Sequence, residues 1–242
     1  MAEKNSTPLV LLGCLHAGFK YANLKYTEEV VNWGKRNGAL FLILGDNFEN
    51  AIATHNKAMM MWDQLTTPDS QIDYVEKLLK PVRKQIVGAC SSNHSKRTKE
   101  VAGVDLDWQL ACRLGYRHIY NANTGYRVLK VGKSHYRIVY THGIGSGSNV
   151  LADFRKLNAM YPNADIIAAS HTHTCLSTRE AFFTMDNRGR KLNEVVYIRT
   201  GSGIGYPTYA EDQLYKPQPM GYSVAWLGRD EKSVRVDTYF KP

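Results

Sequence analysis

The side chains of this chain that could do chemistry lie in five short polar segments, and each segment directly follows an apolar run. The segments are Cys14-Leu15-His16, Gly45-Asp46-Asn47, Ser92-Asn93-His94, Thr141-His142-Gly143 and His171-Thr172-His173. Open α/β sheets collect ligand groups at the carboxyl ends of their strands, so we expect the five segments to share one edge. Imidazoles gathered there with one carboxylate and one amide suit hard or borderline divalent cations. The pattern therefore predicts metal-dependent chemistry.

The elements that must position these segments alternate between strand and helix in the first half of the chain. Apolar runs at residues 9–12, 40–44, 136–140 and 166–169 precede four of the segments and are typical of buried strands. A third strand is predicted near 85–89, and helices are predicted over 27–35, 56–65, 72–79 and 105–114. The second half is rich in predicted strands and has one helix, at about 150–158. This order predicts two sheets packed face to face with helices outside, in a single domain of residues 1–242.

The bulk composition is that of a globular protein with an excess of positive charge. Among the 242 residues 43% are hydrophobic and 22% are charged, and no apolar stretch approaches the ~18 residues of a membrane span. The formal net charge of +9 favours a polyanionic partner such as nucleic acid, with a generic basic surface as the alternative. The start of the chain is not a signal peptide, and its four cysteines show no paired spacing. We therefore expect a reduced protein of the cytoplasm.

Basic residues cluster on both sides of the third polar segment. The cluster consists of Lys80, Arg83, Lys84, Lys96, Arg97 and Lys99. A run of charge is usually a solvated face, but this one flanks the predicted chemistry. We therefore predict that Lys96 and Arg97, together with Asn93, bind the substrate.

In chain order, the five segments resemble the motifs of the calcineurin-like metallophosphoesterase family, most closely its compact prokaryotic and phage members. The family pattern is Asp-x-His, Gly-Asp-x-x, Gly-Asn-His-Asp/Glu, a lone His before Gly, and Gly-His-x-His. The resemblance runs in the same order from residue 13 to residue 173. It implies an α/β fold, a four-layered αββα sandwich in which two mixed β-sheets are flanked by helices (the metallo-dependent phosphatase fold).

The resemblance also implies two divalent metal ions at the strand ends, with Mn²⁺, Zn²⁺ and Fe as the candidates. One ion would be held by Cys14, His16, Asp46 and His173, and the other by Asp46, Asn93, His142 and His171. Asp46 would bridge the two ions, because one carboxylate must donate oxygen to both. His94 would bind no metal. As the catalytic residue, it would protonate the leaving oxygen or stabilise charge on the phosphoryl group.

Cys14 stands where the family has Asp, and this is the departure with the largest chemical consequence. A thiolate is a softer ligand than a carboxylate, so the first site would favour Zn²⁺ or Fe over Mn²⁺ or Mg²⁺. The alternative is that Cys14 is a buried small side chain at a decayed site, because free cysteines are among the most buried residues.

Three serines also depart from the family pattern. Ser92 and Ser170 stand where the family has Gly, and we expect them to crowd the backbone near the metals, at a cost wherever φ is positive. Ser95 replaces the Asp or Glu that follows the catalytic His, which would loosen the orientation of that ring. A carboxylate at Asp105 or Asp107 is a candidate replacement.

The function that fits these expectations is a metal-dependent phosphoesterase. We expect a phosphodiesterase or nuclease that hydrolyses a phosphodiester in nucleic acid or a nucleotide by means of a metal-activated water. One alternative is a phosphomonoesterase acting on a small molecule or a protein. Another is a catalytically weakened or inactive interaction protein with the same fold. The implied partner is a phosphate ester, with no membrane involved, in the cytoplasm (of the host, if the chain is phage-encoded).

Overall fold

Strands account for most of the regular structure. The computed structural model describes residues 5–53, 58–144, 150–187 and 189–242. Its strands are β1 (Ser6–Leu12), β2 (Leu40–Ile43), β3 (Ile86–Cys90), β4 (Tyr120–Asn121), β5 (Thr124–Val131), β6 (Ser134–Thr141), β7 (Ile166–Ala169), β8 (Leu176–Asp186), β9 (Gly189–Arg199), β10 (Tyr222–Gly228) and β11 (Val234–Phe240). Its α-helices are α1 (Leu24–Arg36), α2 (Pro68–Leu79), α3 (Asn93–Ala102), α4 (Leu106–Leu114), α5 (Ala152–Met160) and α6 (Thr208–Asp212).

The strands form two mixed sheets. The first has the order β11-β10-β1-β2-β3-β4, in which β1 to β4 are parallel and β10 and β11 pair antiparallel. The second has the order β5-β6-β7-β9-β8, in which β6, β7 and β9 are parallel and the two edge strands are antiparallel to their neighbours. Because β1, β2 and β3 run parallel, their carboxyl ends lie at one edge. The carboxyl ends of β6 and β7 share an edge of the second sheet in the same way.

Side chains alternate along β1 between two separate cores, as the two-residue period of a strand requires. Leu9 and Leu11 are buried in the core between the two sheets. Val10 and Leu12 are buried on the opposite face, in the core formed with helices α1, α2 and α4. Helix α5 covers the outer face of the second sheet through buried residues such as Phe154. The layers therefore follow the order αββα, and the predicted fold class is confirmed.

Helix α3 and the long β8–β9 hairpin differ from the expectations of the sequence. No helix was expected at residues 93–102, because this segment is mostly polar. The structure has helix α3 there, and its N-cap is Ser92, whose side chain accepts from the Ser95 N–H. Where a helix was predicted over 56–65, the structure has a 3₁₀ helix, Ala58–Asp63, and residues 54–57 lie outside the described part. Strands β8 and β9 have 11 residues each, because their hairpin continues past the buried half that the apolar pattern marks. The single-domain organisation stays a prediction.

None of the helices that the structure describes is both long and apolar enough to cross a bilayer.

Tyr140 of β6 fills the space between the two sheets where two glycines make room for its ring. Gly125 of β5 and Gly88 of β3 both face this ring, and a Cβ added at Gly88 would lie 2.6 Å from Cζ of Tyr140. The Tyr140 hydroxyl donates to the Ile119 carbonyl at 3.2 Å and accepts from Asn121 Nδ2 at 3.1 Å. These contacts hold the ring in one position. The two glycines leave room for it, so the sheets approach each other closely here.

Changing Gly88 to Ala should lower the free energy of unfolding by about 1–3 kcal/mol, because the added methyl group overpacks the core. Urea denaturation of the parent and the variant measures this difference. Gly205→Ala is the matched control, since a Cβ there would meet its nearest atom at 3.8 Å. A Gly88→Ala variant as stable as the control would show that the packing around Tyr140 is not tight.

Candidate metal centre

Each of the five polar segments lies at the carboxyl end of a strand; four are in loops, while Asn93 and His94 begin helix α3. The loops after β1 and β2 run side by side, since the Cys14 N–H donates to the Gly45 carbonyl and the His16 N–H to the Asp46 carbonyl, both at 2.9 Å. The other loops follow β3, β6 and β7. All seven predicted metal ligands therefore lie at the carboxyl ends of parallel strands, where the sequence predicted them.

Five of the predicted ligands have left-handed backbone conformations. Their φ angles are 52° for Cys14, 49° for His16, 49° for Asp46, 74° for His171 and 59° for His173. For residues other than glycine this conformation costs about 1–2 kcal/mol each. The strain expected at the serines is absent, because φ is −138° at Ser92 and Ser170 is not among the residues with positive φ.

Three polar side chains converge around the Nε2 atom of His142. This nitrogen lies 3.1 Å from Asp46 Oδ2, 2.8 Å from Asn93 Oδ1 and 3.0 Å from His171 Nδ1. The other ring nitrogen, Nδ1, donates to the Leu44 carbonyl at 2.7 Å, so in the neutral ring Nε2 carries the lone pair. Lone pairs on oxygen and nitrogen thus face one common point, which is the arrangement that a cation stabilises.

The electrostatics of this cluster are set by burial and by Asp46. Burial alone would raise the pKa of Asp46, but His142 and His94 outweigh it and hold that pKa well below its ordinary value. Burial alone would lower the pKa of His142, whereas the Asp46 carboxylate raises it. Burial lowers the pKa of His171 to about 4 and that of His173 to about 3. Asp46 is therefore ionised, and His171 and His173 are neutral, the form in which imidazole binds metals.

His16 completes a second group of ligand atoms beside the first. Its Nδ1 donates to Glu49 Oε2 at 3.0 Å, while its Nε2 lies 3.8 Å from Asp46 Oδ2. This Nε2 atom is buried and has no hydrogen-bond partner among the described residues. The ligand atoms of Cys14, His16 and His173 lie within 4.8 Å of one another.

Cys14 lies between the two groups of ligand atoms. Its sulfur is within 4.8 Å of ligand atoms of both Asp46 and His142, and it accepts from the His171 N–H at 3.3 Å. Burial raises the pKa of the Cys14 thiol, with Asp46 adding to the rise. The thiol is therefore neutral here unless a nearby cation stabilises the thiolate.

The residues present fit divalent metal ions. The buried Nε2 of His16 has no hydrogen-bond partner among the described residues, and a buried nitrogen without a partner is costly unless something binds it. Both His16 and His142 donate their second nitrogen to an oxygen, as metal-binding histidines almost always do. A donor set of imidazole, thiol, carboxylate and amide suits Zn²⁺, Fe or Mn²⁺.

His94 adjoins this cluster, and it has a ligand atom within 4.8 Å of those of His16 and Glu49. Its Nδ1 donates to the Glu49 carbonyl at 2.7 Å, and its Nε2 accepts from Arg97 Nη2 at 2.9 Å. The same Nε2 atom is 4.0 Å from Asp46 Oδ2, and the His94 N–H donates to Asp46 Oδ1 at 3.2 Å. Burial lowers the pKa of His94 to about 4, so the ring is neutral in this arrangement.

The residues predicted to bind substrate have three different environments. Arg97 is buried, and its Nη1 donates to the Glu49 carbonyl at 2.8 Å and lies 3.4 Å from Glu49 Oε1, so it faces His94 and Glu49 instead of solvent. Lys96 is exposed on α3, and Asn93 is exposed but directed at His142.

The basic cluster seen in the sequence is divided by β3. Lys80, Arg83 and Lys84 lie in a 3₁₀ helix, Lys80–Gln85, at the amino end of this strand. The site lies at its carboxyl end, about 16 Å away for a five-residue strand. These three residues are therefore remote from the site, in contrast to what their closeness in sequence indicated.

Sequence reasoning missed two buried side chains that support the ligand loops. Glu49 contacts His16 and Arg97, and its only sequence signal is its position three residues after Asp46. Arg199 at the end of β9 donates from Nη1 to the Ser170 carbonyl at 2.8 Å, next to His171. It showed no sequence signal, because an arginine at a strand end is ordinary.

Changing Cys14 to Asp should raise the occupancy of the first metal position by Mn²⁺, because a carboxylate is the harder ligand. Mn²⁺-supported hydrolysis should rise with it. The measurement is elemental analysis of protein equilibrated with Mn²⁺ and freed of unbound metal, compared with the parent. Cys112→Ser, at an exposed cysteine, is the control. Unchanged Mn²⁺ content and rate would show that residue 14 is not a ligand.

Comparison with known proteins gives matches among solved structures alone: no protein-family model and no curated protein matches the chain. The chain is similar to Yfce, a phosphoesterase from E. coli, with 16% identity, a TM-score of 0.48 and coverage of 97% of this chain and 100% of that one. It is also similar to Vacuolar Protein Sorting 29 from Cryptosporidium parvum, with 13% identity, a TM-score of 0.47 and coverage of 99% of this chain and 100% of that one. A metallophosphoesterase from Sphaerobacter thermophilus has 16% identity and a TM-score of 0.47, with coverage of 98% of this chain and 90% of that one.

The two mixed sheets between helices, the order of the five motifs and their meeting at one edge are all observed directly. Together they are the fold and the motif arrangement expected of a calcineurin-like metallophosphoesterase.

Proposed function

We propose that this chain is a metal-dependent phosphoesterase that hydrolyses a phosphodiester in nucleic acid or a nucleotide. The observation that carries the proposal is the buried Nε2 of His16, which has no hydrogen-bond partner among the described residues and lies beside the ligand atoms of Cys14, Asp46 and His173. A bound cation would provide this nitrogen with a partner. A decayed scaffold would have no need to keep this nitrogen free.

Two divalent ions bound here would supply an activated water and would hold the oxygens of the phosphoryl group. Cys14, His16, Asp46 and His173 would hold one ion. Asp46, Asn93, His142 and His171 would hold the other. The protein itself orients these groups through Glu49 and the Leu44 carbonyl, which fix the rings of His16 and His142.

His94 and Arg97 supply the chemistry that needs no metal. The Nε2 atom of His94 faces Asp46 and accepts a hydrogen bond from Arg97. Holding a proton at Nε2 requires that the Arg97 N–H moves away, so the two side chains act as a pair. One of the two side chains can then donate a proton to the leaving oxygen or a hydrogen bond to the phosphoryl group as charge develops there.

A phosphodiester in a polyanion is favoured over other phosphate esters by charge. The chain carries a formal net charge of +9, and the exposed Lys96 lies two residues from His94, on the first turns of α3. Positive charge beside a phosphoesterase site attracts a nucleic acid backbone. Phosphomonoester hydrolysis and a purely binding role are the outcomes against which this proposal is tested.

A substrate panel tests the proposal. With Mn²⁺ or Zn²⁺ present, we expect the protein to hydrolyse bis(p-nitrophenyl) phosphate faster than p-nitrophenyl phosphate and to bind close to two ions per chain. Asp46→Asn is the matched control: it removes the bridging carboxylate, so it should strip metal and abolish activity on both substrates. Faster monoester hydrolysis would support the monoesterase, and an absence of both metal and activity would support the interaction protein.

Changing His94 to Asn should leave both metals in place and lower turnover by about 10²–10⁴, the usual range for a positioned acid. The loss should be larger for an alkyl leaving group than for p-nitrophenolate, which departs without a proton. The measurements are metal analysis and the rates of hydrolysis of two diesters, one with an alkyl leaving group and one with p-nitrophenolate as the leaving group. Loss of the metals, or parental rates on both substrates, would contradict the role of His94.

A further inference from the structure

Asp107 of α4 lies outside all five motifs, yet its carboxylate binds three residues that belong to them or adjoin them. Asn47 Nδ2 donates to Oδ1 at 2.7 Å. Ser92 Oγ and Ser95 Oγ both donate to Oδ2, at 3.0 Å and 2.6 Å. Each of the three donors is the chain neighbour of a candidate site residue, and these neighbours are Asp46, Asn93 and His94.

Asp107 is buried, and its carboxylate has a defined set of hydrogen-bond donors. Its exposed fraction is 2%, and a buried carboxylate without donors would be strongly unfavourable. Burial raises its pKa to about 6, and the hydrogen bonds from Ser95, Asn47 and Ser92 oppose that rise. The side-chain oxygen of Asn47 has no partner in the described part of the chain, so the contact with Asp107 is what holds this amide.

Asp105, the other candidate carboxylate, has different partners. Its Oδ2 accepts from Tyr120 at 2.9 Å and from Lys99 at 3.2 Å, and its Oδ1 accepts from the Trp108 N–H as the N-cap of α4. Near the motifs, its only hydrogen bond among the described residues comes from Ser91, at 3.5 Å. Of the two carboxylates, Asp107 is therefore the one that reaches the residues flanking the site.

We propose that Asp107 is a positioning residue that supplies, from α4, the carboxylate that the third motif lacks at position 95. In this interpretation Ser92 and Ser95 are not losses from the site: they are the two hydroxyl donors that a carboxylate arriving from another helix requires. The inference rests on the proposed function, since the positions that Asp107 controls are those of the bridging Asp46 and of His94.

The network joins two loops that come from different strands. The Ser92 hydroxyl also accepts from the Ser95 N–H at 3.4 Å, so Asp107, both serines and the first turn of α3 are linked. Asn47 ties the loop after β2 to the same carboxylate. Without the Asp107 carboxylate, three buried donors lose their acceptor and the two loops can shift against each other. A displacement of about 1 Å in a catalytic group can cost 10²-fold in rate.

The test compares a disruption with a rearrangement of the same groups. Asp107→Asn keeps the size of the side chain but places an N–H donor opposite either Asn47 or the serines. The double variant S95D/D107S moves the carboxylate to the family's position and leaves a hydroxyl donor on α4. Asp105→Asn is the control, because it alters a carboxylate two residues away with other partners.

Three quantities are measured for each variant: metal affinity by chelator competition, kcat and KM on bis(p-nitrophenyl) phosphate, and urea unfolding of the metal-free protein. For Asp107→Asn we expect metal affinity and kcat to fall by about 10–100-fold, as for other groups that orient ligands. KM should change much less. S95D/D107S should recover most of this loss, and Asp105→Asn should keep parental kcat and metal affinity.

Parental metal affinity and kcat in Asp107→Asn would overturn the inference, and so would equal losses in Asp107→Asn and Asp105→Asn. If Asp107→Asn does not fold, Ser95→Ala decides, because it removes one of the three donors: a reduced kcat supports the inference and a parental one overturns it. If the parent hydrolyses no phosphate ester, the proposed function fails, while the metal affinities of the variants still decide the role of Asp107.

Discussion

The site depends on one buried charge, the Asp46 carboxylate, whose exposed fraction is 2%. A carboxylate without compensation costs several kcal/mol in such an environment. The His94 N–H, which donates to Asp46 Oδ1 at 3.2 Å, provides part of that compensation. The Nε2 atoms of His142 and His16 lie 3.1 Å and 3.8 Å from Asp46 Oδ2. These groups follow β1, β3 and β6, so side chains from both sheets surround one carboxylate. Divalent cations would meet the same need more strongly.

The backbone of the ligand loops is under strain, and the strain lies where function would require it. Cys14, Asp46 and His171 are among five predicted ligands with positive φ, while the serines that replace glycines have ordinary backbones. Ser170 is also well satisfied, since its hydroxyl donates to the Leu44 carbonyl at 2.8 Å. Left-handed residues of this kind concentrate at binding and catalytic sites. Strained ligand backbones and satisfied substitutions thus occur together at this site.

Support for the ligand loops comes from side chains that belong to none of the five motifs. Glu49 orients His16 and binds Arg97, Asp107 holds the residues beside Asp46 and His94, and Arg199 holds the carbonyl before His171. All of them are buried and charged, so each must have partners. Their shared effect is to fix loops that would otherwise be free to move at the end of a strand. Asp107 and Arg199 contact Ser92, Ser95 and Ser170, which are three of the four residues that depart from the family pattern.

The amino-acid sequence determined the architecture and indicated which polar side chains would meet at one edge. Apolar runs mark β1, β2, β6 and β7, and the polar residues directly after them must lie at the carboxyl ends of parallel strands. These are local patterns, in which strand period and chain order suffice. Helix α3 escaped the same reasoning, because its N-terminal cap and its contacts, and not an apolar stripe, define it.

Only the tertiary structure decided what the charged residues do. Arg97 reads as a surface cation in the sequence, but it is buried against Glu49, which is 48 positions away, and the carboxylate beside Ser95 comes from Asp107 on another helix. Hydrogen bonds and ion pairs of this kind join side chains that only folding brings together. Their partners depend on distance and burial, which a one-dimensional pattern does not contain.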